Sequence, residues 1–336
     1  MSSKLQFADK IETLLDKIDY NKLNWKVGIK LHFGEKWCDT YINPTIAEKL
    51  YNKLESKWLD VSMIECNVLY RGSRTNSSDH IRTAKEHGFD FGKIDILDGE
   101  QGEKSLKLNV DGWVVTEAKV GQWLEKYDSL VVLSHFKWHS ASGFWGAFKN
   151  LGMGLGSRWW KLHMHSDISP SVDQSKCTGC WKCIEACDFD AIRMENGVAK
   201  IDESKCTGCA MCIAVCPCGA VNIPWSGSSN IKLQKKIVDY SKAIINYFNE
   251  NIVYINVLEN ITKDCDCMWS SQSVITDDIG MLLGNDPVAI DKASFDMVKE
   301  QTDWKFQSFH NVDWFTQIEY GAKQWLWNKD YKIENV

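Results

Sequence analysis

Several familiar signals are missing from the 336-residue sequence. No stretch approaches the roughly eighteen consecutive apolar residues of a membrane-spanning helix, so no membrane association is expected. No block of lysine and arginine offsets the formal net charge of −6, which argues against nucleic acid or an anionic membrane surface as a partner. The opening "MSSKLQFADKIETLLDKI" lacks the continuous apolar core of an export signal, so a cytoplasmic location is expected. No G-x-G-x-x-G turn follows the first strand pattern and no Walker loop occurs, so neither a nicotinamide nor an ATP cofactor is indicated.

What is present suits a globular chain. Apolar residues make up 44% and charged residues 25%, and the length allows a large core, with two structural units or one carrying an insertion. Sixteen tryptophans are many; several (Trp138, Trp145, Trp159, Trp160) flank one glycine-rich segment, where core or interface packing explains an aromatic excess. Of thirteen cysteines, eight fall in two tight runs, which points to metal ligation in a reducing compartment rather than to disulfides.

Apolar periodicity sets out the elements. "WKVGIKLHF" (25–33), "DVSMIECNVL" (60–69), "DSLVVLSHF" (128–136) and "NIVYINVL" (251–258) read as strands. Residues 44–58, 77–88, 230–250 and 286–301 read as helices, two with proline at the first turn. This strand–helix alternation predicts an α/β fold, a mostly parallel sheet with flanking helices. The rhythm breaks near residue 170 and resumes near 229. The expected organisation is therefore an α/β part over 1–169, a cysteine-rich insert over 170–228, and a second α/β part over 229–336, sharing one sheet or forming two lobes.

The insert repeats itself: "KCTGCWKCIEACDFDAI" and "KCTGCAMCIAVCPCGAV" match with a period of 29 residues. Cys177, Cys180, Cys183 and Cys187 follow C-x-x-C-x-x-C-x-x-x-C, and Cys206, Cys209, Cys212 and Cys216 repeat it. Two residues between thiolates let a tight loop aim successive sulfurs at one cluster, while the fourth cysteine serves the other cluster. The segment resembles the bacterial two-cluster ferredoxins. That resemblance implies two [4Fe–4S] clusters, one on Cys177, Cys180, Cys183 and Cys216, the other on Cys206, Cys209, Cys212 and Cys187. Pro217 keeps the usual proline after the second run, whereas Asp188 replaces it after the first. A structural zinc site is the competing assignment. Cys218 has no place in the pattern and reads as a small buried filler.

Half of the eight histidines, His135, His139, His163 and His165, lie between 135 and 165, just after a buried strand pattern. Ligands bind at that end of open α/β sheets. The intervening "HSASGFWGAFKNLGMGLGSR" supplies glycines that let backbone approach a ligand, and Lys149 one turn beyond Trp145. A glycine-rich helix packed tightly on the sheet is the alternative. "KDCDCMW" offers Cys265 and Cys267 as soft-metal ligands or a redox pair. Arg71 and Arg74 could grip an anion. His32, Glu35, Asp277, Asp278 and Asp291 are weaker candidates, and Asp286 reads as an N-cap.

Nearly the whole chain resembles a family of uncharacterised iron–sulfur-centre proteins with a two-cluster ferredoxin module inserted in an α/β domain. "KLHFGE", "YRGSR", "SHFKWHSASGFWGAFKNLGMGLGSR", "HMHSDI", "CDC" and "DPVAIDKASFD" carry that resemblance. The His139, Lys149 and His165 segment also resembles, more remotely, the nickel-pincer lactate racemases. That resemblance implies Lys149 holding a pyridinium pincer, His165 its nickel, and His139 acting as a base. Asp39 and Thr40 of "WCDTYINP" match a further segment of those enzymes, while Arg74 stands where they carry a second catalytic histidine.

These readings converge on an iron–sulfur redox protein. Electrons would pass between two clusters and a pocket lined by His135, His139, Lys149, His165 and Arg74, acting on a small anionic substrate. The alternative is an electron carrier or assembly partner that docks on another redox enzyme. Either way an external electron donor or acceptor protein is expected, and a homo-oligomer is compatible with the sequence.

Overall fold

The computed structural model describes residues 2–70, 72–165, 169–187, 189–206, 211–222, 230–268, 270–303, 312–325 and 328–336. Arg71, Asp188 and Cys209 lie outside the described residues. The strands are β1 Ser3–Ala8, β2 Lys26–Lys30, β3 Asp60–Glu65, β4 Ile94–Ile96, β5 Ser105–Asn109, β6 Glu117–Gly121, β7 Ser129–His135, β8 Lys137–His139 and β9 Gly143–Trp145. They continue with β10 Ser171–Val172, β11 Ile192–Glu195, β12 Val198–Ile201, β13 Val221–Asn222, β14 Ile252–Leu258, β15 Gly280–Gly284 and β16 Tyr331–Asn335. The helices are α1 Ile11–Leu15, α2 Pro44–Glu55, α3 Ser77–Glu86, α4 Ala147–Leu155, α5 Trp160–His165, α6 Lys182–Glu185, α7 Met211–Ala214, α8 Asn230–Tyr247, α9 Pro287–Gln301 and α10 Thr316–Trp325.

One eight-stranded sheet, ordered β16-β1-β15-β14-β7-β2-β3-β4, takes strands from both sides of the cysteine-rich segment. The two α/β parts therefore share a sheet. From β4 to β14 all neighbours are parallel; β15 runs antiparallel between β14 and β1, and β16 is parallel to β1. Strands β7 and β14 are buried along their whole length, as their near-continuous apolar runs require of a sheet covered on both faces. Val131 and Leu133 face a core shared with α1, α2 and α3, whereas Leu130 and Val132 face one built with α4, α8 and α9. Chain order moves outward from β2 to β3 and β4 on one side and from β7 to β14 on the other. The point where the order reverses, between β2 and β7, is where an open α/β sheet leaves a crevice.

Helix α4 is buried on every side. Its N-terminal amides find their acceptor not in a neighbouring cap but in Asp291 of α9, which accepts from Ala147 N at 2.6 Å and Phe148 N at 3.1 Å. Asn256 Nδ2 donates to the same carboxylate at 2.9 Å, and burial pushes its pKa up to about 6. Asp291 is thus a cap acting from a distance. Asp286 caps α9 as the sequence suggested, accepting from Val288 N at 2.9 Å and Ala289 N at 3.1 Å.

The cysteine-rich segment leaves the chain after α5 and returns at α8. It holds the antiparallel pair β10–β13, the hairpin β11–β12 and the one-turn helices α6 and α7 around a small core of its own. Ile213 of α7 packs on Leu69, Trp159 and Leu162 of the α/β part.

Gly152 brings α4 against α8: a Cβ there would lie 2.2 Å from Ile237 O and 2.7 Å from Ser241 Oγ. Backbone cannot yield cheaply, so Gly152→Ala should destabilise the chain by about 1–3 kcal/mol. The check is a lowered urea midpoint at unchanged m value.

Candidate functional site

The crevice between β2 and β7 opens into a cavity of about 480 Å³, with walls mostly apolar and polar groups at a few points. Its lining includes His32, His139, Lys149, His165, Cys265 and Cys267. The local fold explains the convergence. Strands β2 and β3 end at the opening, so the residues just beyond them, His32 and Cys66, reach its wall. After β7 the β8–β9 hairpin turns His139 and Trp145 over the same opening before α4 begins. Lys149 sits in the first turn of α4 and is 2% exposed, with Nζ 3.7 Å from the centre of the Trp145 ring. His32 meets the edge of that indole, with ring centres 4.8 Å apart.

The two histidines nearest the strands have fixed tautomers. His139 Nδ1 accepts from the amides of Ala141 and Ser142, both at 3.1 Å, and His32 Nδ1 accepts from Gly34 N at 3.1 Å. In the neutral ring the proton is then on Nε2, so each acts as a donor. Burial, with Lys149 and Lys161 nearby, pushes His165 down to about 4 and keeps it neutral. Burial and the Arg74 charge depress His32 as well.

Buried charge beneath the cavity falls into neutralised pairs and, among the described residues, two lysines that no carboxylate pairs, Lys149 and Lys161. Lys30 bonds Glu65 at 3.0 Å and Asn150 Oδ1 at 2.7 Å. Asp266 Oδ1 takes Lys137 Nζ at 2.5 Å while Oδ2 takes His135 Nδ1 at 2.9 Å. Lys137 also donates to Thr40 O at 2.8 Å and Oγ1 at 2.9 Å, and Asp266 O accepts from Glu35 N at 2.9 Å. The Lys137 and His135 charges hold the Asp266 carboxyl well below the usual carboxylate range despite its burial. This clamp fixes the turn that carries Cys265 and Cys267, which are joined as a disulfide on the cavity wall. Of these two, Lys161 is held by Gly154 O, whereas among the described residues neither a carboxylate nor a carbonyl bonds Lys149. Burial and the charges of Lys161 and Lys30 hold its ammonium well below the usual lysine range.

Other candidates lie beside the cavity rather than on it. His135 and Thr40 belong to the Asp266 clamp. Arg74 is buried, 3.4 Å from Glu35, and donates at 2.5 Å to the Tyr70 hydroxyl; Tyr70 lines the cavity. Glu35 also accepts from Ser73 N at 2.7 Å, so it orients Arg74. Asp39 is exposed and accepts from Ser271 Oγ at 2.7 Å. Asp277 and Asp278 are exposed, and Asp278 accepts from Asn260 N at 2.7 Å. His163 meets the Tyr240 hydroxyl at 3.2 Å.

Sequence reasoning missed Glu65, Cys66 and Lys161 on the cavity wall, and undervalued Asp266 and His32. A usable signal existed for some: His32, Glu65 and Cys66 end or follow parallel strands. Lys161 carries no such mark; its Nζ is held at 3.0 Å by Gly154 O across a helix junction.

In the cysteine-rich segment, Cys177, Cys180, Cys183 and Cys216 line one small cavity. Backbone amides donate to its sulfurs, Ala199 N to Cys177 Sγ at 3.4 Å and Ala220 N to Cys216 Sγ at 3.3 Å. Ala191 N donates to Cys187 Sγ at 3.4 Å, Cys212 is buried, and Cys206 is half-buried. Cys218 is not the buried filler expected: it is half-exposed, with Sγ 3.7 Å from Cys216 Sγ. Among the described residues no three His, Cys, Asp or Glu side chains are grouped to hold a metal ion. Among them, too, no helix is long and apolar enough to cross a membrane.

Residues 27–296 match the family described as a domain of unknown function, DUF362, and the chain belongs to it. No curated protein matches. Two solved structures are similar at 11% identity: a protein from Thermotoga maritima determined by a structural genomics consortium, and the lactate racemase apoprotein from Thermoanaerobacterium thermosaccharolyticum. The first covers 88% of this chain and 60% of its own at a TM-score of 0.43, the second 90% and 58% at 0.40. The chain thus spans about three-fifths of the length of either.

Removing the Asp266 carboxylate leaves Lys137 buried and unpaired, so Asp266→Ala should cost about 3–5 kcal/mol at pH 7. Because the folded carboxyl is depressed, its contribution is complete above the unfolded value of about 4 and is lost as pH falls below it. Urea midpoints of wild type and variant should therefore differ most at neutral pH and draw together in acid.

Proposed function

We propose that this chain is an iron–sulfur oxidoreductase in which two [4Fe–4S] clusters serve a ligand cavity in the α/β part. The observation that carries this reading is the seam between them. Ile213, set between Cys212 and Cys216, packs on the cluster formed by Leu69, Trp159 and Leu162, and Leu69 lines the cavity. The thiol-rich wall of Cys177, Cys180, Cys183 and Cys216, with amides donating to sulfur, suits the first cluster, since such hydrogen bonds stabilise bound thiolate and tune its potential. Cys187, Cys206, Cys209 and Cys212 would hold the second. When bound, the clusters supply one-electron transfer.

The chain's own residues bind and orient the ligand. Lys161 supplies positive charge, which favours an anionic substrate, Lys149 supplies an amine, and His32 and His139 supply N–H donors. The apolar walls exclude water, which strengthens each of these contacts. An external electron donor or acceptor protein completes the reaction. The exposed Trp181 and Phe189, beside the cysteines, favour docking on that side of the segment. With no substrate acted on in the cavity, the same surface would serve a pure electron carrier. The convergence of Lys149, His165 and His139 on one cavity favours the enzyme.

That convergence also supports a second reading, a nickel-pincer-like cofactor on Lys149 with neutral His165 as a nickel ligand. Anaerobic purification with iron, sulfide, nickel and zinc analysis tests both. About eight irons and eight sulfides per chain are expected, falling by about half in Cys180→Ser. Zinc in place of iron, or no metal at all, overturns the electron relay. Nickel with added mass on Lys149 would establish the second reading.

A further inference from the structure

We propose that Lys149 is an imine-forming lysine, whose amine condenses with an aldehyde or ketone carrying an apolar or aromatic body and an anionic group. The inference rests on the cavity being a ligand site and not on the clusters. Its geometric basis is that Lys149 is the one cavity lysine whose amine meets neither a carboxylate nor a carbonyl among the described residues. Lys30 is tied to Glu65 and Asn150, and Lys161 to Gly154 O. Lys149 has only the face of Trp145. Its position is rigid, because α4 is held at its start by Asp291 and along its side by Ser241 Oγ, which donates to Phe148 O at 2.9 Å.

Several charged or titratable groups bear on the amine. Lys161 of α5 and Lys30 of β2 oppose its charge. Glu65 of β3 and Asp266 favour it, but Glu65 already serves Lys30, and Asp266 serves Lys137 and His135. His32 and His165 are neutral. A desolvated lysine beside other cations keeps part of its population as free amine near neutral pH, and free amine is the nucleophile.

The remaining walls define the partner. The Nε2 protons of His32 and His139 suit a carbonyl oxygen, and the Lys161 ammonium suits an anionic group. Val68, Leu69, Met153 and Met268 suit an apolar body, and about 480 Å³ is the volume of a small-ligand site rather than of a two- or three-carbon acid. In the condensation the amine nitrogen bonds the carbonyl carbon, the carbon–oxygen bond breaks, and water leaves with that oxygen and two protons. No oxidant or reductant is needed.

The test uses pyridoxal 5′-phosphate as an anionic aromatic aldehyde on the anaerobically purified full chain, trapped with borohydride and mapped by peptide mass. Each unit of pKa lowering raises the free-amine fraction about tenfold. Lys149, its ammonium held below the usual lysine range, should therefore label several-fold faster at pH 7 than the exposed lysines. Lys149→Arg should abolish that fast label while keeping the fold and the iron content. Lys161→Met, by removing a like charge, should shift the pH midpoint of labelling upward. Labelling of Lys149 no faster than exposed lysines, in folded protein, overturns the proposal, and so does an intact mass showing Lys149 already modified. Iron content is read on the same sample. Loss of the iron with fast labelling intact defeats only the electron relay, and iron without fast labelling defeats only the imine.

Discussion

The candidate site hangs on one buried carboxylate. Asp266 meets Lys137 from the hairpin after β7, His135 from the end of β7 itself, and through its carbonyl the amide of Glu35 beyond β2. Three segments distant in sequence are thereby locked around one aspartate. A buried charge held by two partners is costly to leave unmatched, so the segments move together or not at all. The cysteines on either side of Asp266 gain their place on the cavity wall as a consequence. The turn between β14 and β15 has little regular structure of its own, and the clamp supplies the rigidity that a helix or strand would otherwise give.

The pairing of charges separates support from function. Lys137 and Lys30 each meet a carboxylate, and Asp291 directs its charge at the amides of α4. Arg74 is matched by Glu35 and Tyr70. Lys137, Lys30 and Asp291 stabilise the scaffold by being satisfied, whereas Arg74 keeps its buried Nη1 without a hydrogen-bond partner among the described residues. Lys149 stands apart because it is equally buried, on equally rigid backbone, without that satisfaction. Such unbalanced burial is characteristic of functional positions, where strain in charge is retained for use.

The sheet was legible wherever a strand was apolar on both faces. "DSLVVLSHF" and "NIVYINVL" announced β7 and β14, and the helices with proline or asparagine at the start were equally plain. The edge of the sheet was not: β1 carries polar residues amid its apolar ones, β16 is largely exposed, and "GMLLG" of β15 is only five residues long. In the site, His139, Lys149 and His165 were readable because they cluster within one segment after a strand. Arg74 and His135 looked similar in sequence, and only tertiary pairing shows that His135 is held by Asp266 and that Arg74 Nε and Nη2 meet Glu35 and Tyr70. Asp291 was unreadable as a cap for the opposite reason. Its helix lies about 140 residues from the amides it accepts, and no local pattern encodes a cap supplied from another element.

The insertion point of the cysteine-rich segment gives the architecture its logic. The chain leaves the α/β part just after α5, whose last residue, His165, lines the cavity, and it returns as α8, which packs on α4 and α5. A segment inserted there is tethered at the rim of the cavity at one end and behind Lys149's helix at the other. Its small core needs no sheet of the host, because β10–β13 and β11–β12 close on themselves. Among the described residues, Ile213 packs it on the host cluster of Leu69, Trp159 and Leu162. A module inserted for stability alone could sit at any surface loop, since long insertions there cost little. Placement at the rim, with an apolar seam of which Leu69 is part of the cavity wall, is the arrangement the proposed connection between module and ligand calls for.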